Sequence, residues 1–224
     1  RGWADTAVAG GTGSNLQLFS MIYRGRDDYS RRVESPQTAS RPFDRDRDGT
    51  VAGEGAGAIV LETRNSMQRR GGKGLARLAG WARGFCSLES KQFPQRLAEI
   101  CQQALAQARL PVEDLGQLNA HGASQPLADR LEATAISKFA PEVPILACKH
   151  NFGNLGPGSG TVELIAGILA MQHSLLPGAI NFSAPDEGFH LSLRATPLAY
   201  PHTSLLKLSF SATGQIAAVV VKLP

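Results

Sequence analysis

Val143-Pro144-Ile145-Leu146-Ala147-Cys148 runs straight into Lys149-His150-Asn151-Phe152-Gly153-Asn154-Leu155-Gly156-Pro157-Gly158-Ser159-Gly160, and an apolar segment follows as far as His173. The first six residues read as a buried strand. Polar side chains set between its carboxyl end and the mouth of a helix mark the place where α/β proteins build sites, because ligands settle outside strand carboxyl ends and helix N-termini favour negative charge. Upstream, Leu118-Asn119-Ala120-His121-Gly122-Ala123-Ser124 ends a second short strand just before a helix opened by Pro126. The two strand ends are expected to bring His121, Lys149 and Asn154 to one pocket.

Working outward, strand-like runs occur at 5–9, 57–62, 75–86, 117–120, 143–148, 204–210 and 215–223. From Leu75 onward they alternate with helices. A helix over 92–109 carries Phe93, Leu97, Ile100, Cys101, Ala104, Leu105 and Ala108 on one stripe, and Pro111 stops it. A second, over 127–139, stacks Leu127, Leu131, Ala135 and Phe139. The third, over 159–173, is apolar nearly all round, so it is expected to lie buried between sheets. The last two strands form a hairpin around Ala212-Thr213-Gly214. The pattern predicts an α/β fold with a mixed sheet. Residues 1–74 add two strands and a long loop, while Arg1-Gly2-Trp3 reads as the end of a helix, as if something precedes it.

With 224 residues, 42% hydrophobic and 19% charged, the chain has an ordinary globular composition and can bury a sizeable core. No apolar run reaches the ~20 residues of a membrane span, and the start does not resemble a signal peptide. A cytoplasmic protein is expected. Cys86, Cys101 and Cys148 are scattered, without zinc-site or disulfide spacing, so reduced thiols and no metal are expected. A net charge of +4, with arginines in small groups such as Arg24 with Arg26 and no interleaved aromatics, argues against nucleic acid and for an acidic protein partner.

Three motifs have plain readings. Gly10-Gly11-Thr12-Gly13-Ser14 lacks the third glycine of a dinucleotide cradle, where Leu16 stands, and reads as a turn. Asp44-Arg45-Asp46-Arg47-Asp48-Gly49 mimics a calcium loop, but its twelfth position is Gly55 and nearby arginines can pair the carboxylates. Cys148 ends an apolar strand and reads as core rather than nucleophile.

His121 by itself would read as structural. Together with Gly122, Ser124, Lys149, Gly153, Asn154 and Glu163 it reads differently. Glycine-rich turns let backbone approach a ligand, and a neutral imidazole and a carboxamide can both donate to one carbonyl oxygen, which makes an electrostatic site for a developing enolate.

These segments resemble the β-ketoacyl-acyl carrier protein synthases, the condensing enzymes of fatty acid and polyketide synthesis. Arg41-Pro42-Phe43-Asp44, Arg47-Asp48-Gly49, Gly53-Glu54-Gly55-Ala56-Gly57 and Val60-Leu61-Glu62 are similar to that family's long loop and following strand. Asn119 through Leu127 resembles its first histidine motif, and Lys149 through Gly160 its lysine and second histidine motif. Ser209-Phe210-Ser211-Ala212-Thr213-Gly214 sits where the family has a glycine-rich turn with a gating phenylalanine.

The resemblance implies a thiolase-like layered αβαβα sandwich. Here one complete half (75–224) is joined to the last two strands of the other (1–74), with the nucleophilic cysteine outside this sequence. It implies His121 and Asn154 on the oxygen of a malonyl thioester, and Lys149 holding the His121 loop through a buried ion pair with Glu163. Ser124 and Gly153 are supporting residues, and Phe210 and Ala212 line or gate the acyl pocket. No cofactor is bound; the substrate rides on the phosphopantetheine of acyl carrier protein or on CoA. The expected partners are acyl carrier protein, acyl and malonyl thioesters, and a second subunit in a homodimer or ketosynthase heterodimer. Three departures stand out: Asn154 replaces the second histidine, Ala212 replaces the gating phenylalanine, and the stretch from Cys86 to Gln92 is short. A non-catalytic chain-length-factor-like subunit or a carrier-protein-binding module is the alternative.

Overall fold

Two β-sheets share one helix. The computed structural model describes residues 4–24 and 28–224; Arg1-Gly2-Trp3 and Arg26 lie outside them. β1 (Thr6–Ser14) and β2 (Glu54–Glu62) pair antiparallel, with α1 (Leu18–Arg24) and a long strap between them. After α2 (Arg64–Arg69), N-capped by the Thr63 hydroxyl, come β3 (Arg77–Phe85), α3 (Phe93–Gln107), β4 (Gln117–Asn119), α4 (Pro126–Phe139) and β5 (Ile145–Leu146). They are followed by α5 (Lys149–Phe152), α6 (Ser159–Gln172), the short pair β6 (Leu175–Leu176) and β7 (Leu198–Ala199), and the hairpin β8 (Ser204–Phe210) and β9 (Gln215–Lys222).

The main sheet has the order β3-β9-β8-β4-β5. β4 is parallel to both neighbours, and β8–β9 and β9–β3 are antiparallel. α3 packs on one face of this sheet and against α4; α6 packs on β8 and β4, with β1 and β2 on its other side. The expected stripe of α3 is buried from Phe93 to Ala108 and meets Leu118, Leu206, Leu208 and Val220 in the core. The architecture is that of a layered α/β sandwich. α6 lies between the two sheets as its composition predicted, although Leu169 remains exposed on one flank.

Two local expectations are corrected. Gly10–Ser14 is not a turn but the second half of β1. Its glycines allow close approach to the helical turn at 156–158: a Cβ on Gly11 would strike the Pro157 carbonyl, and one on Gly13 the Leu155 carbonyl. The apolar stripe expected of α4 holds in its second half, where Ala135 and Phe139 are buried, but not in its first. Leu127 is exposed and Leu131 half-buried, while Ala128, Asp129, Glu132, Ala133 and Ile136 face inward. The cause is polar, because the Asp129 and Glu132 carboxylates are needed by the loop that carries His121.

Candidate active site

β4 ends at Asn119, and the chain then turns through Ala120–Ser124 with left-handed backbone at Gly122 (φ 40°) and Ser124 (φ 61°). A loop this tight cannot pair its own amides, so they need outside acceptors. Glu132 accepts from His121 N–H at 2.7 Å and Gly122 N–H at 2.9 Å. Asp129 accepts from Ala123 N–H at 2.7 Å, Ser124 N–H at 3.0 Å and, across the strap, Phe43 N–H at 2.8 Å. The Ser124 hydroxyl in turn accepts from Arg41 N–H at 3.0 Å.

The carbonyls of the same loop are held from below. Lys149 Nζ donates to His121 O at 2.5 Å and pairs with Glu163 Oε1 at 2.6 Å. Lys207 Nζ donates to Ala120 O at 3.0 Å and pairs with Glu163 Oε2 at 2.5 Å. All three side chains are buried. Burial alone would raise the Glu163 carboxyl, but the two ammonium groups outweigh it and hold it below the ordinary glutamate value. His121 is held well below the ordinary histidine value, first by burial and then by Lys149 and Lys207. Its imidazole is therefore neutral, a donor at one nitrogen and an acceptor at the other. Phe210 lies against the ring, centroids 4.3 Å apart, and is itself braced edge-on by Phe93 at 5.3 Å.

Asn154 follows α5 and the left-handed Gly153 (φ 73°). Its backbone is clamped by the strap: its N–H donates to Val51 O at 2.7 Å, and its carbonyl accepts from Gly53 N–H at 3.0 Å and Asn15 Nδ2 at 2.9 Å. Its side-chain oxygen accepts from Gly156 N–H at 3.0 Å and the Ser159 hydroxyl at 3.3 Å. The rotamer is thus set oxygen-inward. Among the described residues no acceptor occupies its Nδ2 donors.

Every residue expected at the site has a definite place. Lys149 links the two loops, since its ammonium is on the His121 carbonyl and its own carbonyl accepts from the Ser40 hydroxyl at 2.7 Å. Phe210 is buried behind His121, whereas Ala212 is exposed on the β8–β9 turn. Cys148 is buried, its thiol pushed up to about 12 by burial, in keeping with a core role. In the strap, Asp44 accepts from Ser183 and Ala184 and pairs with Arg41 at 3.0 Å, and Asp48 pairs with Arg32. These carboxylates are spent on protein partners. A cavity of about 620 Å³ opens beside Asp5, Glu62, Arg64 and Arg77, and none of the site residues lines it. Sequence reasoning missed Asp129, Glu132 and Lys207. The signal for Lys207 was a single charge inside the apolar strand Ser204-Leu-Leu-Lys-Leu-Ser-Phe210.

Burial pushes the Glu132 carboxyl up to about 7, against the hydrogen bonds it receives from Gly122 and His121. A folded value above the unfolded one means the native state holds the extra proton between about pH 4.5 and 7, so this group's stabilising contribution is complete below the unfolded value and is lost as pH rises through 7. Relative to Glu132→Gln, the native protein should lose stability between pH 5 and 7, at up to about 1.4 kcal/mol per pH unit. Urea unfolding midpoints of both proteins across that range would show the difference curve, and a flat one would refute it.

The C-terminal domain of β-ketoacyl synthases matches residues 84–183, and the N-terminal domain of the same enzymes matches residues 1–66. The chain belongs to the β-ketoacyl synthase family. It is 36% identical to the mitochondrial 3-oxoacyl-[acyl-carrier-protein] synthase of Arabidopsis thaliana, over 94% of this chain and 48% of that one. It is 32% identical to the polyketide biosynthesis malonyl-ACP decarboxylase of Bacillus subtilis strain 168, over 99% of this chain and 54% of that one. Its fold superposes with a TM-score of 0.91 and 26% identity on a type II polyketide ketosynthase solved with its acyl-carrier protein, covering 100% of this chain and 57% of that one. The sandwich is accordingly thiolase-like. This ketosynthase chain spans about half the length of the curated relatives it matches, and among its described residues no helix is long and apolar enough to cross a membrane.

Proposed function

We propose that the protein carrying this chain decarboxylates a malonyl thioester and, with a nucleophilic cysteine supplied outside these 224 residues, condenses the product with an acyl group. The observation that carries this reading is the Asn154 carboxamide, whose oxygen is occupied by Gly156 and Ser159 and whose amino group is left to donate, together with a His121 kept neutral on a rigid loop. As the malonyl C–C bond breaks, its electron pair moves into the thioester to give an enolate, and carbon dioxide departs. His121 N–H and Asn154 Nδ2–H donate to the enolate oxygen, where fixed donors stabilise the charge that develops. The carbanion carbon then attacks the acyl-cysteine carbonyl, and the cysteine sulfur leaves. An amide cannot shuttle a proton as a second histidine does, so Asn154 acts here purely as a donor.

Acyl carrier protein is the proposed partner, with the substrate on its phosphopantetheine arm; a ketosynthase of the same fold has been solved with its own carrier protein. A dimer in the cytoplasm is the proposed working form.

The test is the whole protein with malonyl-carrier protein, with and without acyl-carrier protein, monitored for carbon dioxide and β-ketoacyl product. Asn154→His should preserve or raise decarboxylation. A large loss in a folded variant counts against the assignment of Asn154, and no carbon dioxide from the parent protein overturns the reading in favour of a binding subunit.

A further inference from the structure

The two peptide units that flank the Cα of His121 are each held at both ends. In the first, Ala120 O accepts from Lys207 and His121 N–H donates to Glu132; in the second, His121 O accepts from Lys149 and Gly122 N–H donates to Glu132. Both lysines are tied to opposite oxygens of Glu163. We propose that Lys207 is a positioning residue of the site: with Lys149 it clamps consecutive carbonyls to one carboxylate and so fixes the backbone from which the imidazole reaches the thioester. This rests on the reaction proposed above.

Lys207 spends its three ammonium protons on Glu163 Oε2, Leu208 O at 2.7 Å and Ala120 O, so it touches no substrate and acts through His121. Packing gives no reason for the charge. The side chain is 4% exposed in a strand that also carries Leu205, Leu206 and Leu208; removing one partner of a buried ion cluster costs stability, but Glu163 keeps its pair with Lys149 when Lys207 is lost. A methionine would fill this strand as well but would leave the first peptide unit held only at its N–H. The ammonium also acts on the charge of His121. The charged groups that act on that ring are Lys149 from α5 and Lys207 from β8; Glu163 from α6 pairs with both of them, and Glu132 and Asp129 from α4 accept the backbone amides of the same loop. Removing Lys207 takes a positive charge from the ring's surroundings, which makes the imidazolium less costly.

The test uses the whole protein and two independent readouts. In Lys207→Met, kcat for malonyl-carrier protein decarboxylation should fall about tenfold with KM nearly unchanged, and Lys207→Arg should restore part of it. By NMR on histidine-labelled protein without substrate, the His121 ring of Lys207→Met should take up a proton at a higher pH than in the parent. Unchanged His121 titration and unchanged kcat in the folded variant would overturn the proposal. If Lys207→Met does not fold, the parent protein carries the same test. As Lys207 itself deprotonates, at a pH below the ordinary lysine value, the His121 amide and ring resonances should shift with the same midpoint, and their failure to move would overturn it. The NMR arms need no turnover, so a parent protein without decarboxylase activity sinks the reaction and still reports on the clamp.

Discussion

Replacing His121 with alanine is expected to lower carbon dioxide release from the malonyl thioester by about 10²–10³-fold, the loss typical when one of two preorganised donors to a developing oxyanion is removed. The imidazole is neutral, backed by Phe210 and carried on a loop whose amides from His121 to Ser124 are taken by Glu132 and Asp129 and whose Ala120 and His121 carbonyls are held by Lys207 and Lys149. The fall should appear in kcat with little change in KM, because the donor matters most where the charge develops. Single-turnover measurement on malonyl-carrier protein, with circular dichroism to confirm the fold, would read it. A loss below about threefold would place the oxyanion elsewhere, since that corresponds to well under one donor's contribution.

Glu163→Gln should give the largest stability loss of any single change at the site. The carboxylate has no exposed surface and joins two buried ammonium groups through its two oxygens. A glutamine offers one acceptor and no charge, so at least one lysine is left unpaired in the interior. Breaking a buried pair from one side costs about 3–5 kcal/mol, which for a chain of this size corresponds to roughly a 10 °C fall in melting temperature. Adding Lys207→Met to Glu163→Gln should recover part of that loss, because the unpaired charge goes with it. Calorimetry on the two single variants and the double variant would decide. A double variant no more stable than Glu163→Gln would mean that the cluster is held by packing and not by its charges.

Periodicity carried the layered part of the fold well. The α3 stripe, the apolar α6 between two sheets and the terminal hairpin all follow from residue spacing, because burial against a sheet imposes that spacing directly. α4 shows where spacing fails. Leu127 and Leu131 formed an apolar row, yet the inward face was taken by Asp129 and Glu132, whose partners are amides of a loop that no helical period encodes. The glycines of β1 misled for a related reason. They look like a turn in isolation and make sense only beside the carbonyls of Leu155 and Pro157, some 140 residues away in sequence. Within the candidate site, the buried Lys149–Glu163 pair expected from the motifs is present, whereas Lys207 carries no motif and becomes intelligible only once β8 is laid beside β4.

Asn154 takes its side-chain orientation from the residues that follow it, but its main chain is fastened to Asn15, Val51 and Gly53, and the turn after it fits under Gly11 and Gly13. A recombinant with its crossover near residue 74 would draw the carboxamide from one parent and its anchorage from another. Gene shuffling among such enzymes must therefore carry these five positions along with Asn154, or the donor will be presented from a shifted backbone even when every motif is intact.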